Sequence, residues 1–544
     1  MLSEHQKGSR EGSREADTGS LPEKDPTHYD SETHKGSDTE VAKEERGVDV
    51  VVGLIAGHGD ESEVDLQAAY KLRRKLDRHM LPLLFILYTL QFIDKNSLGS
   101  AAILGIIPDN HLTTNQFNNL STAFYIGYII FVGPHAWLMQ RFPIAKYIAV
   151  NIGLWSIFLG LQAACHNYGG LFALRVLLGA SEGCITSGIM TIMTMFYTRV
   201  ESTQRISWTF MCNGVASILA GFMSFGVAHT KATAHPRQWQ WYMMITSILS
   251  VLVSILYFWK MPDNPATARF LDAQEKVDVV KRIRINQNGI EAKVWKRYQF
   301  IEALTDVKTW FFFLFAAVAN LQGGLGVVFG LIIKGWGFNT LETTLLGMPV
   351  GAAMIISISI GTILLKYFPN SRCVLGIIGF IPGCICCFLL MFLPWKDKAG
   401  MLVAFYLLAT NGLGFIMILS LVAVVFSGHT KKMTCNAVFL VGYSLGQMLC
   451  TQFWKQKYRP RNMVPWIIQL STYVFDIFMI FIIRWYLVSE NKRRDAEKLA
   501  SGEEYDEFGY IEHTQEDGSV VKLKVPIQFM DITDKENKAF RYPL

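Results

Sequence analysis

Leu81-Pro82-Leu83-Leu84-Phe85-Ile86-Leu87-Tyr88-Thr89-Leu90-Gln91-Phe92-Ile93-Asp94-Lys95-Asn96-Ser97-Leu98-Gly99-Ser100-Ala101-Ala102-Ile103-Leu104 is an apolar run with one acid and one base side by side in its interior. A helix crosses the hydrocarbon core of a bilayer with ~20 apolar residues, so this run is long enough to span one. Comparable runs follow, and the full set is 80–106, 119–140, 145–165, 169–197, 206–228, 240–260, 309–334, 343–367, 372–394, 400–427, 434–454 and 464–487. They predict an all-α membrane protein of twelve transmembrane helices. The first run lies behind a long acidic tail and lacks a small-residue cleavage site, so it reads as a span and not as a signal sequence.

The charge distribution agrees. Of 544 residues 18% are charged and 51% hydrophobic, with a net charge of +6. A soluble chain carries ~25% charged residues. Residues 1–70 hold 17 acidic and 7 basic residues, and residues 489–544 hold 13 and 9, which leaves 50 charges for the 418 residues between. The N-tail, 1–78, is rich in Ser, Gly, Thr, Asp and Glu and reads as disordered; its apolar stretch 50–56 is too short to span. The C-tail, 489–544, mixes charge with short apolar patches. Lys71, Arg73, Arg74, Lys75 and Arg78 precede the first span, and Lys492, Arg493 and Arg494 follow the last. Basic flanks stay in the cytoplasm, so both termini are expected there. The last external loop, with Lys455, Lys457, Arg459 and Arg461, runs against that trend.

Two six-helix bundles are expected, 79–262 and 309–488, joined by a linker over 263–308. The linker opens with the helix stop Met261-Pro262-Asp263-Asn264-Pro265. It then places Phe270, Val277, Val280 and Ile283 among charges, as an amphipathic surface helix does. An internal repeat supports the division. Phe142-Pro143-Ile144-Ala145-Lys146 matches Phe368-Pro369-Asn370-Ser371-Arg372 at an offset of 226, which also carries Arg205 onto Lys431 and Asp94 onto Asn320. Parallel halves related by an axis along the membrane normal place a central site between them.

Ionisable residues at bilayer depth cost at least ~2.5–3.5 kcal/mol each and mark function by default. Asp94, Lys95, Arg175, Glu182 and Asp476 lie that deep. Counting ~1.5 Å per residue, Asp94, Lys95 and Arg175 share a depth, with Glu182 on nearly the same face as Arg175 and closer to the cytoplasm. The four are expected as a charged column between spans 1 and 4. One reading makes Arg175 a fork for a carboxylate, Lys95 a second positive charge, and Asp94 or Glu182 a proton carrier. The other makes Asp94 and Arg175 a structural ion pair. No partner for Asp476 is evident at its depth. Asn320 and Gln322 beside Gly323, Gly324 and Gly326 in span 7, and Asn411 beside Gly412 and Gly414 in span 10, suit either a polar ligand or a helix-packing seam. Gly179-x-x-x-Gly183 and Gly347-x-x-x-Gly351 read as helix-packing motifs, His135 as a packing donor, and Cys384, Cys386 and Cys387 as apolar packers without a zinc ligand set. No GxxxxGK[ST], HExxH or GxSxG motif occurs, so neither an ATP-driven pump nor an enzyme is supported, and no cofactor, metal or nucleic acid is expected.

Further motifs carry a resemblance. Span 4 reads Leu174-Arg175-Val176-Leu177-Leu178-Gly179-Ala180-Ser181-Glu182-Gly183. The linker continues with Ala268-Arg269-Phe270-Leu271, loop 10–11 reads Ser427-Gly428-His429-Thr430-Lys431-Lys432, and the tail holds Glu490-Asn491-Lys492-Arg493-Arg494-Asp495, Asp531-Ile532-Thr533-Asp534-Lys535-Glu536-Asn537 and Phe540-Arg541-Tyr542. Together with span 1 these resemble the fungal allantoate permease branch of the anion:cation symporter family, within the major facilitator superfamily. The resemblance implies a monomeric plasma-membrane symporter that rocks about a central site and takes up a small organic anion with a proton. Ureido acids, nicotinate and pantothenate are among that family's substrates. It places the charged motifs on Asp94, Lys95, Arg175 and Glu182. Loop 2–3 departs from the superfamily pattern: Gln140-Arg141-Phe142-Pro143 lacks the Gly and Asp expected before its basic residues. A nutrient sensor that binds but transports little is the rival expectation.

Overall fold

The computed structural model describes residues 66–231, 235–286, 296–368, 370–501, 508–514, 520–526, 532–537 and 539–544. Most of the predicted N-tail, with its apolar stretch, lies outside these residues, as does Pro369 of the repeated loop. Ten helices among the described residues are long and apolar enough to cross a membrane. Two more, Leu66–Ile103 and His429–Leu449, pack among them and complete twelve spans.

Span 1 is Leu66–Ile103, span 2 Thr114–Arg141, span 3 Ile144–Gln162, span 5 Arg199–Ala228, span 6 Gln238–Lys260, span 9 Arg372–Phe392, span 11 His429–Leu449 and span 12 Met463–Ser501. The other four are interrupted. Span 4 is Tyr168–Glu182 followed by Ile185–Phe196, span 7 is Val307–Leu321 then Gly324–Gly335, span 8 is Thr340–Leu346 then Met348–Tyr367, and span 10 is Lys398–Leu407 and Asn411–Val425 around a 3-10 turn. Span 1 begins thirteen residues inside the predicted tail, with Leu72 and Leu76 buried. Span 12 runs on to Ser501, past the predicted end at 487. Within the predicted C-tail, Phe508–Thr514 and Val520–Pro526 form an antiparallel hairpin.

The apolar interior falls into one large cluster drawn from residues 72–279 and another drawn from 303–542, with a small third cluster of Ile358, Leu375, Leu413, Ile416 and Met417. Close backbone approach holds neighbouring spans. A Cβ on Gly179 would lie 1.8 Å from the Phe124 carbonyl oxygen, and one on Gly127 would lie 2.0 Å from that of Val176, so spans 2 and 4 touch backbone to backbone. Gly351 meets the Gly214 oxygen in the same way at 2.4 Å, which joins span 8 to span 5.

Hydrogen bonds between the start of span 2 and the end of span 11 close one membrane face. Asn118 Nδ2 donates to the Trp454 oxygen at 3.1 Å, Thr122 Oγ1 to that of Met448 at 2.8 Å, and Thr451 Oγ1 to that of Asn118 at 3.2 Å. Gln452 Nε2 adds Thr122 Oγ1 at 2.7 Å.

On the opposite face the linker folds back onto the first six spans. Asp263 Oδ1 accepts from the backbone N–H groups of Ala145 and Lys146, at 3.1 and 3.2 Å, and caps the start of span 3. The helix Ala273–Asn286 is tied by Lys75 to Glu275 at 2.6 Å and by Arg282 to Glu201. It buries Val277 and Val279, not Val280, because that side lies against protein. Arg205 forks onto both oxygens of Asp77 at 2.7 Å, tying span 5 to the extension of span 1.

Candidate functional site

Successive residues of a helix point ~100° apart, and this divides the predicted column. Asp94 turns away from the seam, toward spans 3 and 6. Its Oδ2 accepts from Trp155 Nε1 and from Ser250 Oγ at 3.5 Å, and Oδ1 has no hydrogen-bond partner among the described residues. Lys95 turns toward span 4. Its Nζ stands 3.5 Å from Glu182 Oε1 and 5.8 Å from the centre of the Tyr128 ring. Arg175 is 2% exposed, and its Nη2 donates to Ser97 Oγ at 3.3 Å. Of the two readings, the one that makes Asp94 and Arg175 an ion pair is not met; the pair that forms across spans 1 and 4 is Lys95–Glu182. Lys95 keeps 16% of its side chain exposed while Glu182 keeps none, so access to the pair is from the lysine side. The Arg175 Nε–H has no acceptor among the described residues, a costly state for a buried guanidinium.

Glu182 is the last residue before span 4 breaks at Gly183 and Cys184. His135 stands behind that break. Its Nε2 donates to the Ala180 carbonyl at 2.5 Å, so Nδ1 accepts from the Tyr147 hydroxyl at 2.6 Å. Both ring nitrogens are thus used in joining spans 2, 3 and 4.

The polar residues of the second half form two separate groups. Asn320 donates to the Ala316 oxygen at 2.7 Å and accepts from Gln447 Nε2 of span 11 at 3.2 Å. Gln322, at the break in span 7, donates to Asp476 Oδ2 at 2.7 Å and accepts from Asn411 Nδ2 at 3.3 Å; Asn411 also approaches the Tyr473 hydroxyl at 3.4 Å. Asp476 thus has a partner that its depth did not reveal, since an uncharged amide gives no charge signal in the sequence. The structure brings Gln322, Asn411 and Asp476 together, and sets Asn320 apart on the span 11 side.

Trp155, Ser97, Ser250, Gln447 and Tyr473 were not expected at these places. One signal for Ser250 was present: the offset of 226 carries it onto Asp476. Each half links its first span to its sixth through one carboxylate, which sits on span 1 in one half and on span 12 in the other.

The Major Facilitator Superfamily pattern matches residues 84–451. The allantoate permease of Saccharomyces cerevisiae is 32% identical over 506 residues, covering 90% of this chain and 89% of its own. The thiamine pathway transporter THI73 of the same organism is 33% identical, covering 91% and 89%. Among solved structures, a bacterial homolog of the human lysosomal transporter Spinster, in an inward-facing and unoccupied conformation, matches with a TM-score of 0.54. That match has 15% identity and covers 75% of this chain and 94% of that one; at such identity the likeness is one of fold.

Proposed function

The chain belongs to the Major Facilitator Superfamily, in its allantoate permease-like branch, and is a multi-pass membrane transporter; from that premise we propose that it takes up a small organic anion together with a proton. The likeness to an allantoate permease favours a ureido acid or a comparable carboxylate nutrient such as nicotinate or pantothenate. Likeness to fungal permeases favours the plasma membrane, and the basic flanks of spans 1 and 12 favour both termini in the cytoplasm. The bonds between spans 2 and 11 then lie at the outer face, which favours a state closed to the outside.

The observation that carries the reading is the Lys95–Glu182 pair, 3.5 Å apart, together with an Arg175 whose Nε–H has no acceptor among the described residues. While Glu182 is ionised it neutralises Lys95. A proton on Glu182 releases the ammonium, and a substrate carboxylate takes the place of the lost charge, oriented by the planar fork of Arg175. Proton and anion thus bind cooperatively at one place, which is what symport requires. Gln322 and Asn411, bonded to each other and to Asp476, and Asn320, bonded to Gln447, are the uncharged polar groups that the second half contributes. The coupling role falls first to Glu182, because Asp94 meets the pair only through the backbone of span 1. The membrane potential adds ~2.3 kcal/mol per charge per 100 mV to any net positive charge carried inward.

Radiolabelled uptake in a permease-null cell tests this. Arg175→Ala should abolish uptake with surface delivery intact. Glu182→Gln should lose accumulation driven by a pH gradient while keeping substrate exchange. Normal uptake by the arginine variant would sink the anion clamp, and equal loss of accumulation and exchange in the glutamine variant would make the pair structural. Binding without uptake by the parent would favour a sensor.

A further inference from the structure

The tail motif Ile532–Asn537 and Phe540–Tyr542 has no part in the transport reading, yet it is among the best-bonded segments of the chain. Thr533 and Asp534 are fully buried and Tyr542 is 3% exposed. Asp534 Oδ1 stands 2.7 Å from Lys431 Nζ at the start of span 11, and Oδ2 accepts from Lys308 at the start of span 7 and from the Tyr542 hydroxyl at 2.7 Å. Lys308 Nζ also donates to the Tyr542 oxygen at 2.7 Å and lies 4.2 Å above the ring. Arg494, on the extension of span 12, donates to the backbone oxygens of Asp534, Asn537 and Phe540 at 2.9, 3.3 and 2.9 Å. Asn491 holds the Tyr542 backbone at both its N–H and its carbonyl, each at 2.9 Å. The Arg372 N–H, at the start of span 9, reaches the Leu544 oxygen at 3.1 Å.

The receiving groups form a built pocket. Lys308, Lys431 and Arg494 are 2%, 0% and 6% exposed and come from three different spans. Asp306 serves both lysines, at 3.5 and 2.9 Å, and Glu302 adds one bond to Lys431 at 2.8 Å. At the equivalent place in the first half, among the described residues, Arg205, which the repeat carries onto Lys431, is matched by Asp77 of span 1. In the second half a third acid, beside Asp306 and Glu302, reaches the two buried lysines from a segment separated from the end of span 12 by 30 residues.

We propose that the docked residues 532–537 and 539–544 are an intramolecular ligand, which offers the Asp534 carboxylate and the Tyr542 hydroxyl to Lys308, Lys431 and Arg494 across the ends of spans 7, 9, 11 and 12 and clamps the second half of the protein. The site recognises a carboxylate hydrogen-bonded to an aromatic hydroxyl eight residues further along the chain, and its occupant is this chain's own segment.

A protease site inserted between Thr514 and Val520 in the full chain allows the link to be cut after folding. The fragment from 520 onward should then stay with the body through gel filtration, and Asp534→Ala should release it. Deleting 532–544 should lower the melting temperature, and a synthetic peptide of residues 532–544 should restore it, with an Asp534→Ala peptide at least tenfold weaker. Release of the unsubstituted fragment, or equal rescue by both peptides, would overturn the proposal. Should the deletion variant fail to accumulate, the cleaved full chain still decides, and neither experiment depends on transport.

Discussion

Replacing Gly179 by alanine adds one methyl group and should force spans 2 and 4 apart. The new Cβ would sit 1.8 Å from the Phe124 oxygen and 2.7 Å from its carbonyl carbon. Non-bonded heavy atoms settle at ~3.5 Å, so the backbones must separate by about 1.5 Å at the crossing. A clashing side chain can change rotamer; a carbonyl inside a helix is fixed by its own hydrogen bond. Overpacking a close-packed interior costs ~1–3 kcal/mol and occasionally more, and a clash with backbone on both sides belongs at the upper end. Gly179 also lies between Arg175 and Glu182, so moving span 4 widens the 3.5 Å gap from Glu182 to Lys95. Thermal melting of the purified protein and initial uptake rate read the two effects. Gly133→Ala in span 2 is the control, because nothing lies within 4 Å of its Cβ position. The control should melt with the parent or slightly above, as alanine is the better helix former by ~1 kcal/mol. Gly179→Ala should melt several degrees lower and transport little. Equal melting temperatures for the two variants would refute the backbone crossing.

Gly351→Ala should wedge span 8 from span 5 at a cost of ~1–3 kcal/mol, read as a lower melting temperature; an unchanged value would mean that the two spans are not in contact there. Asp263→Ala removes the cap on the first N–H groups of span 3 and should cost ~1 kcal/mol by the same assay, with Asp263→Asn milder. Docking of the tail should weaken in acid. Burial alone would raise the Asp534 carboxyl, but Lys308 and Lys431 outweigh it and bring it down to about 2. A depressed carboxyl contributes stability above its ordinary value of ~3.9 and loses it as pH falls toward the folded value. Retention of the cleaved fragment should therefore be flat from neutral pH to about 4 and fall below that, whereas retention undiminished at still lower pH would contradict the assignment.

The spans were legible because hydrocarbon imposes a length and a composition on each, and the repeat because its loops kept Phe-Pro-x-x-basic at one offset. Buried charges stood out for the same reason: a lone Asp or Arg in an apolar run is conspicuous. Partner choice was not legible. Asp94 and Lys95 are neighbours in sequence and face different spans, and no count of depth says which way each turns. Gln322 and Trp155 carry no charge and therefore gave no sign that they would meet Asp476 and Asp94. The tail was the largest omission. Its mix of charge and short apolar patches named no partner, and only the meeting of two buried lysines from spans 7 and 11 shows why the Asp534 carboxylate belongs inside.

The docked segment also sets an order of events during synthesis. Lys308 and Asp534 are 226 residues apart, and a ribosome adding ~5–20 residues per second needs roughly 10–45 s to cover that distance. Throughout that interval the ends of spans 7 and 11 hold two lysines with Asp306 and Glu302 but without their third acid. The first six spans, joined by Arg205 and Asp77, have no such wait. The second half is therefore the later one to mature, and a chain interrupted anywhere before residue 534 leaves Lys308 and Lys431 without the Asp534 carboxylate.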